Sequence, residues 1–306
     1  MADLESPFPC YKPYFTGDGS IQTAVAWNGQ IYVSTDYGNS WNPKDSVRNW
    51  YGVAMSSTGQ YQTAIAAGDQ IYVSNDYGNT WNPKDSVRQW YGVAMSSTGQ
   101  YQTAIYYNGR INVSINYGNT WTLTGSSIDW RGIAMSSTGQ YQTATAKPGE
   151  YIWVSTNYGS TWSYKDSPRN WWHVAMSDSG QVQTATTYDS NIYVSINYGN
   201  RWNPKGFEAD WRGIAVSSDG SIQTVVLNGG VGIAPLIYVS NDYGNTWNPK
   251  GSVRNWYEVA MSGSGQHQTI TVVGGQIYVS NDYGNTWNPK DSDRNWRGVA
   301  MSRAIS

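Results

Sequence analysis

The chain has 306 residues, of which only 13% are charged, and a formal net charge of −2. The charged share is about half the usual one and provides no basic field to steer the chain to nucleic acid or an anionic membrane, so neither is expected as a partner. No apolar run approaches a membrane span, and MADLESPFPCYKPYF lacks the basic start and apolar stretch of a secretory signal; we expect a cytoplasmic or non-classically exported protein with no membrane insertion.

Residues 1–18 read as an N-terminal extension. Within it, CYKPYFTG (Cys10 to Gly17) aligns with the first strand of the repeat that follows, but it is degenerate and carries Pro13. Cys10 is the only cysteine, so no intrachain disulfide can form. The aromatic content is lopsided, with 17 Trp and 25 Tyr against 3 Phe. Trp and Tyr join a large apolar body to a polar tip, which suits both structural wedges and sugar-stacking surfaces.

Beyond the extension the chain repeats itself. The Trp that closes YGNTW and its variants occurs at Trp41, Trp81, Trp121, Trp162, Trp202, Trp247 and Trp287, and a second Trp follows each by nine residues, at Trp50, Trp90, Trp130, Trp171, Trp211, Trp256 and Trp296. In the second unit WYGVAMS (Trp50 to Ser56), YQTAIA (Tyr61 to Ala66), IYVS (Ile71 to Ser74) and TWNP (Thr80 to Pro83) read as successive strands separated by turns. Pro83 suits an outer edge strand. No helical periodicity is present.

Seven all-β units of about 40 residues predict a seven-bladed β-propeller of four-stranded antiparallel blades over residues 19–306. The first complete strand is at Ile21 and the last at Trp296 to Ser302. Closure is therefore expected by pairing the C-terminal strand with the N-terminal blade, Ile21 to about Lys44. The sequon Asn112-Val113-Ser114 falls inside a predicted strand and reads as a chance match.

Between the third strand and the fourth, every unit carries Ser-x-Asp-x-Gly-x-Thr-Trp or a close variant. The Asp position is Asp36, Asp76, Asp242 or Asp282, and Asn116, Asn157 or Asn197 in the middle units. A short carboxylate or amide can bond its own backbone and fix a tight turn, and Gly supplies a positive φ. Asn makes the same turn without a charge, so a structural role is expected, with no metal and no cofactor. The motif resembles the Asp-box, or BNR, repeat of sialidases, sortilin-type receptors, photosystem-assembly propellers and some glycosidases, and covers about 280 residues. The repeated Gln-Thr pair, from Gln22-Thr23 to Gln268-Thr269, predicts a hydrogen-bond ladder between blades.

The segment NPKDSVRNW after each box is read as a loop on the opposite face, which the resemblance makes the face of sialidase-type active sites. It places Arg48, Asn49 and Trp50 together, and likewise Arg88, Gln89 and Trp90; Arg169, Asn170 and Trp171; Arg254, Asn255 and Trp256; and Arg294, Asn295 and Trp296. An aromatic face beside planar polar groups is what a sugar pocket needs, and these are the ligand-binding candidates. The competing reading makes each Trp a wedge between blades. Two units lose the Arg and read DWR instead, with Asp129 and Arg131 in one and Asp210 and Arg212 in the other.

His173 and Glu258 replace the Gly of WYG and break the symmetry. Both are expected near the channel mouth, two blades apart, on the face of the insert Asn228 to Leu236. The resemblance to sialidases would require an arginine clamp, a Tyr–Glu nucleophile pair and an acid Asp, each once. The units here are nearly identical, and no phenylalanine-arginine-isoleucine-proline motif is present. We therefore expect a monomeric, non-enzymatic binding protein with blade-repeated sites for carbohydrate or glycoprotein. A protein-interaction scaffold and a sialidase-like glycoside hydrolase are the alternatives.

Overall fold

The repeat folds as strands because apolar and small residues occupy its two middle segments without a break. QTAVA (Gln22–Ala26) and its copies are buried apart from Tyr106, as is IYVS at the end of each following strand apart from Trp153. Strands buried on both faces must lie between neighbouring sheets. The computed structural model describes residues 18–188, 190–227 and 236–303. The expected remnant strand at Cys10 to Gly17 and residues 228–235 of the insert lie outside the described residues.

Among the described residues there is no helix, and all strand pairing is antiparallel. One four-stranded sheet joins Trp130–Met135, Gln142–Ala146, Glu150–Ser155 and Ser163–Arg169. Two more four-stranded sheets follow, starting at Trp171–Met176 and Trp211–Val216. The remaining strands form two six-stranded sheets. There, middle segments fuse into Gln62–Ser74 and Gln268–Ser280, and outer segments run on into the next inner strand as Asn82–Met95 and Asn288–Met301.

The sequence expectation of a short fourth strand ending near Pro83, followed by a loop, is corrected here. NPKDSVR is itself the outer strand, Asn42–Arg48 in the first unit. It reads as a loop because it is polar and largely exposed, as an edge strand can be. Asp45, Asp85, Asp166 and Asp291 lie within it at φ of 53–58°, and at each the ladder slips register before pairing resumes.

The first and last described strands meet. Gln22 pairs with Met301 and Ala26 with Trp296, so the last strand joins the first. A second closure runs through the core. Thr23 Oγ1 donates to Gln62 Oε1 at 2.6 Å, Thr63 to Gln102, Thr103 to Gln142, Thr143 to Gln183, Thr184 to Gln223, Thr224 to Gln268, and Thr269 back to Gln22 at 2.6 Å. Each Gln amide also donates to a turn carbonyl, as Gln102 does to Gly99 at 3.0 Å. The Gln-Thr ladder read from sequence is present and closed.

Asn112 of the sequon is 1% exposed, and its amide donates to Asp85 Oδ2 at 2.6 Å.

Candidate functional site

The Ser-x-Asp-x-Gly turns behave as a folding device. Ser74 Oγ donates to Asp76 Oδ1 and accepts from Gly78 N, Asp76 accepts from the Thr80 amide and hydroxyl, and Trp81 Nε1 donates to Gly78 O. Asp36, Asp242 and Asp282 repeat this pattern. Asn116 and Asn157 keep the backbone bond and turn their amide onto the Thr hydroxyl, while Asn197 holds the Arg201 amide. Trp41 and Trp81 pack on the aromatic–aliphatic clusters around Trp296 and Trp50, Trp121, Trp162, Trp247 and Trp287 pack likewise, and Trp202 is 5% exposed.

The expected sugar platforms on the other face are corrected. Trp50, Trp90, Trp171, Trp256 and Trp296 are at most 1% exposed. Each indole meets a tyrosine edge-on, as Trp50 does Tyr72 at 5.1 Å and Trp90 does Tyr106 at 5.4 Å, so no face is left for a ligand. The arginines are also engaged. Arg48 sits over Tyr72 at 4.5 Å and reaches Asp69 at 3.5 Å. Arg88, Arg169 and Arg294 pair with Asp85, Asp166 and Asp291 at 3.6–3.7 Å and lie over Tyr106, Tyr193 and Tyr32. Arg254, with Gly251 in place of that Asp, is exposed and lies over Tyr278 at 4.7 Å. Asn49, Gln89, Asn170, Asn255 and Asn295 are exposed, and Asn170 accepts from Gly149 N.

A different cluster forms where the inner strands converge on the axis. A cavity of about 160 Å³ opens there, lined by inner-strand residues from every repeat unit, including Tyr51, Tyr91, Arg131, His173, Glu258 and Arg297. Of the residues that follow each inner Trp, Tyr51, Tyr91, Arg131, Tyr257 and Arg297 line it, and Trp172 and Arg212 join them through ring contacts. Cations alternate with rings over most of this circuit. Arg131 lies over Tyr91 at 4.6 Å and Trp172 at 5.7 Å, Arg212 over Trp172 at 5.6 Å and Tyr257 at 5.9 Å, and Arg297 over Tyr257 at 4.8 Å. Tyr257 donates to the Tyr51 hydroxyl across the circuit at 3.2 Å. Burial, and then Tyr257 and Tyr91 beside it, hold the Tyr51 hydroxyl far above the usual tyrosine range.

The DWR variants lie beside this circuit. Asp129 anchors Arg131 at 2.6 Å and Asp210 approaches Arg212 at 3.9 Å. Lys147 adds a fourth cation, its ammonium 4.0 Å from the Trp172 ring. Burial, and then the nearby Arg131 charge, lower its pKa. The Nε atoms of Arg131, Arg212 and Arg297 are buried and have no hydrogen-bond partner.

His173 and Glu258 meet in this cavity, Nδ1 to Oε2 at 2.9 Å. The two departures seen in the sequence are therefore one feature. Neighbouring inner strands run so close that a Cβ on Gly213 would stand 2.8 Å from Glu258 Cα, and one on Gly132 would stand 2.8 Å from Trp172 O. Glycine between the two substituted strands makes room for both side chains. Tyr51, Tyr91, Tyr257 and Arg297 escape sequence reasoning because they look like ordinary repeat filler; only the alternation of Arg with aromatic residues at one repeat position could have marked them.

The other ends of the inner strands meet at Arg303. Its guanidinium lies 2.8 Å from Val216 O and 3.4 Å from Asp178, beside Met55, Met95 and Met135.

No family model and no curated protein matches the chain. Solved structures do match. YCF48 from Cyanidioschyzon merolae superposes with a TM-score of 0.69 at 15% identity, over 89% of this chain and 94% of that one. A structure described as YCF48 bound to D1 peptide gives 0.63 at 15% identity, over 87% of each chain. The GH74 xyloglucanase from Xanthomonas campestris gives 0.71 at 12% identity; the match covers 93% of this chain and 53% of that one. At these identities the likeness shows the fold alone: this chain is a β-propeller of repeated antiparallel blades.

Proposed function

We propose that the chain is a non-enzymatic, monomeric binding propeller that grips an acidic segment of a protein partner at the mouth of its central channel. We further read it as one seven-bladed domain over 19–306, with the Ser-x-Asp-x-Gly turns as Asp-boxes. In support, the long strands Gln62–Ser74 and Asn82–Met95 each join two segments that are separate strands in the four-stranded sheets, and seven Gln-Thr bonds follow the seven repeats.

The observation that carries the functional reading is the ring of Arg131, Arg212 and Arg297 set between aromatic faces. Guanidinium groups held near aromatic rings offer positioned donors to a carboxylate. A mouth of about 160 Å³ admits an acidic side chain or a chain terminus rather than a whole folded surface. One similar propeller is described as bound to a peptide. The hydrolase reading is weaker, because His173 and Glu258 are committed to each other. The carbohydrate reading cannot rest on the buried Trp50-type rings.

Short fluorescein-labelled acidic, neutral and basic peptides test this by anisotropy, at low and high salt. The acidic set alone should bind, more weakly as salt rises, and Arg131→Ala/Arg212→Ala/Arg297→Ala should abolish it in a protein that still unfolds cooperatively, at a lower Tm. Glu258→Gln removes a competing carboxylate and should tighten binding. Binding indifferent to peptide charge, or retained by the triple variant, overturns the proposal.

A further inference from the structure

The opposite face holds a recurrent feature that the channel does not explain. In every box turn the residue before Gly is a tyrosine in the left-handed region, at φ of 59–63°. A bulky side chain is rare there, and each instance costs on the order of 1 kcal/mol relative to glycine. Stacking on the preceding unit returns part of that cost, as Tyr117 does on Tyr61 at 4.7 Å. Yet Tyr283, beside Ile222, is also retained, and it is 44% exposed. A strained conformation kept in all copies, with the ring left facing solvent, points to use of the ring.

These tyrosines stand over grooves between units. One, of about 300 Å³, is lined by Tyr117 and Asn119 from one unit and by Asn75, Asn82 and Lys84 from the unit before. Its counterpart, of about 440 Å³, has Tyr283, Asn285, Asn241, Asn248 and Lys250 at the same repeat positions. Among the described residues the side chains of Asn75, Asn82, Asn241 and Asn248 make no hydrogen bond within the protein, so their amides are free to serve a ligand. Two other junctions lose part or all of the set: Ile115, Thr122 and Thr124 stand where Asn75, Asn82 and Lys84 do, and Ile196 replaces Asn75; at the closing junction, which keeps Asn281, Asn288 and Lys290, the Asn281 amide oxygen is already bonded to His267 Nδ1 and the Tyr37 hydroxyl donates to Asp18.

We propose that these two grooves bind sugar units of a neutral glycan. The Tyr117 or Tyr283 ring covers the C–H face of a pyranose, and the asparagine amides and lysine ammonium take its hydroxyls. Planar amides that both donate and accept match vicinal hydroxyls, whereas an acidic polymer would call for a denser cationic lining. Two shallow sites on one rigid ring give modest single affinities and a gain from valency. This proposal is independent of the peptide site, which lies at the other end of the blades.

The test is a glycan array, followed by calorimetry with cellotetraose, xylotetraose and chitotriose. The variant is Tyr117→Gly/Tyr283→Gly, which relieves the strained backbone and so should keep Tm. Asn82→Ala/Asn248→Ala is the second variant, altering exposed amides only. Each is expected to weaken neutral-glycan binding by about tenfold, the order of one lost aromatic or polar contact set, while acidic-peptide binding at the channel mouth is unchanged. Absence of glycan binding by the wild-type protein, or binding equal in wild type and both variants, overturns the proposal.

Discussion

At the scale of single residues, the two tryptophan series have different duties. Trp90 is fully buried between units, and Trp90→Ala should cost about 3–5 kcal/mol, read as a lower urea midpoint. An unchanged midpoint would mean that the ring is not a wedge. The sequence placed an aromatic and an arginine together correctly, but their spacing is the same for an exposed platform and a buried wedge. What decides is the packing of the preceding unit, Ile65, Ile71 and Val73 against Trp90, which buries the ring together with its own unit's Tyr106 and which a linear reading does not show.

The box carboxylates carry a pH signature. Burial opposes ionisation of Asp76, but the Thr80 amide and hydroxyl and the Ser74 hydroxyl outweigh it and hold the carboxyl below its ordinary 3.8. Asp36, Asp242 and Asp282 shift the same way. Their contribution is therefore present above pH 3.8 and lost as pH falls through the lowered values. Asn116 and Asn157 make the turn without titrating, so replacing all four aspartates by Asn should flatten the loss of urea resistance between pH 6 and pH 3. An equal loss in both proteins would remove these groups as the cause.

At the scale of strands and turns, the Gln-Thr ladder was legible because a polar pair cannot recur in a buried strand without a partner. Gln102→Leu leaves the Thr63 hydroxyl without its acceptor and should cost about 1–3 kcal/mol in equilibrium unfolding. Gly118 at φ +76° lies against the same glutamine: a Cβ there would stand 2.9 Å from Gln102 Oε1. Gly118→Ala should therefore destabilise the protein, and a neutral outcome would show that the ladder can yield. The outer strand was less legible. Lys84 to Arg88 read as a loop because an edge strand exposed to water needs no apolar alternation, and the left-handed Asp85 hides the pairing that continues past it.

At the scale of the whole molecule, closure of the ring brings distant residues together. His173 and Glu258 are 85 positions apart in sequence, and only the circular arrangement puts them 2.9 Å from each other. The sequence marked both as departures from glycine and placed both near the mouth, but a linear reading gives no distance across a channel. Deleting residues 296–306 removes the strand that pairs with Gln22–Ala26 and exposes sheet edges. Such a chain should elute as mixed oligomers in light-scattering chromatography; a monodisperse, cooperatively folding monomer would mean that closure is dispensable.

The central claim is that function resides at one asymmetric mouth and not in the repeated Arg–Trp segment. The most direct measurement is a crystal structure with the tightest-binding acidic peptide. The account predicts a carboxylate seated among Arg131, Arg212 and Arg297, beside the His173–Glu258 pair. A peptide lying instead along the outer strands, against Arg48, Arg88 or their copies, would contradict it.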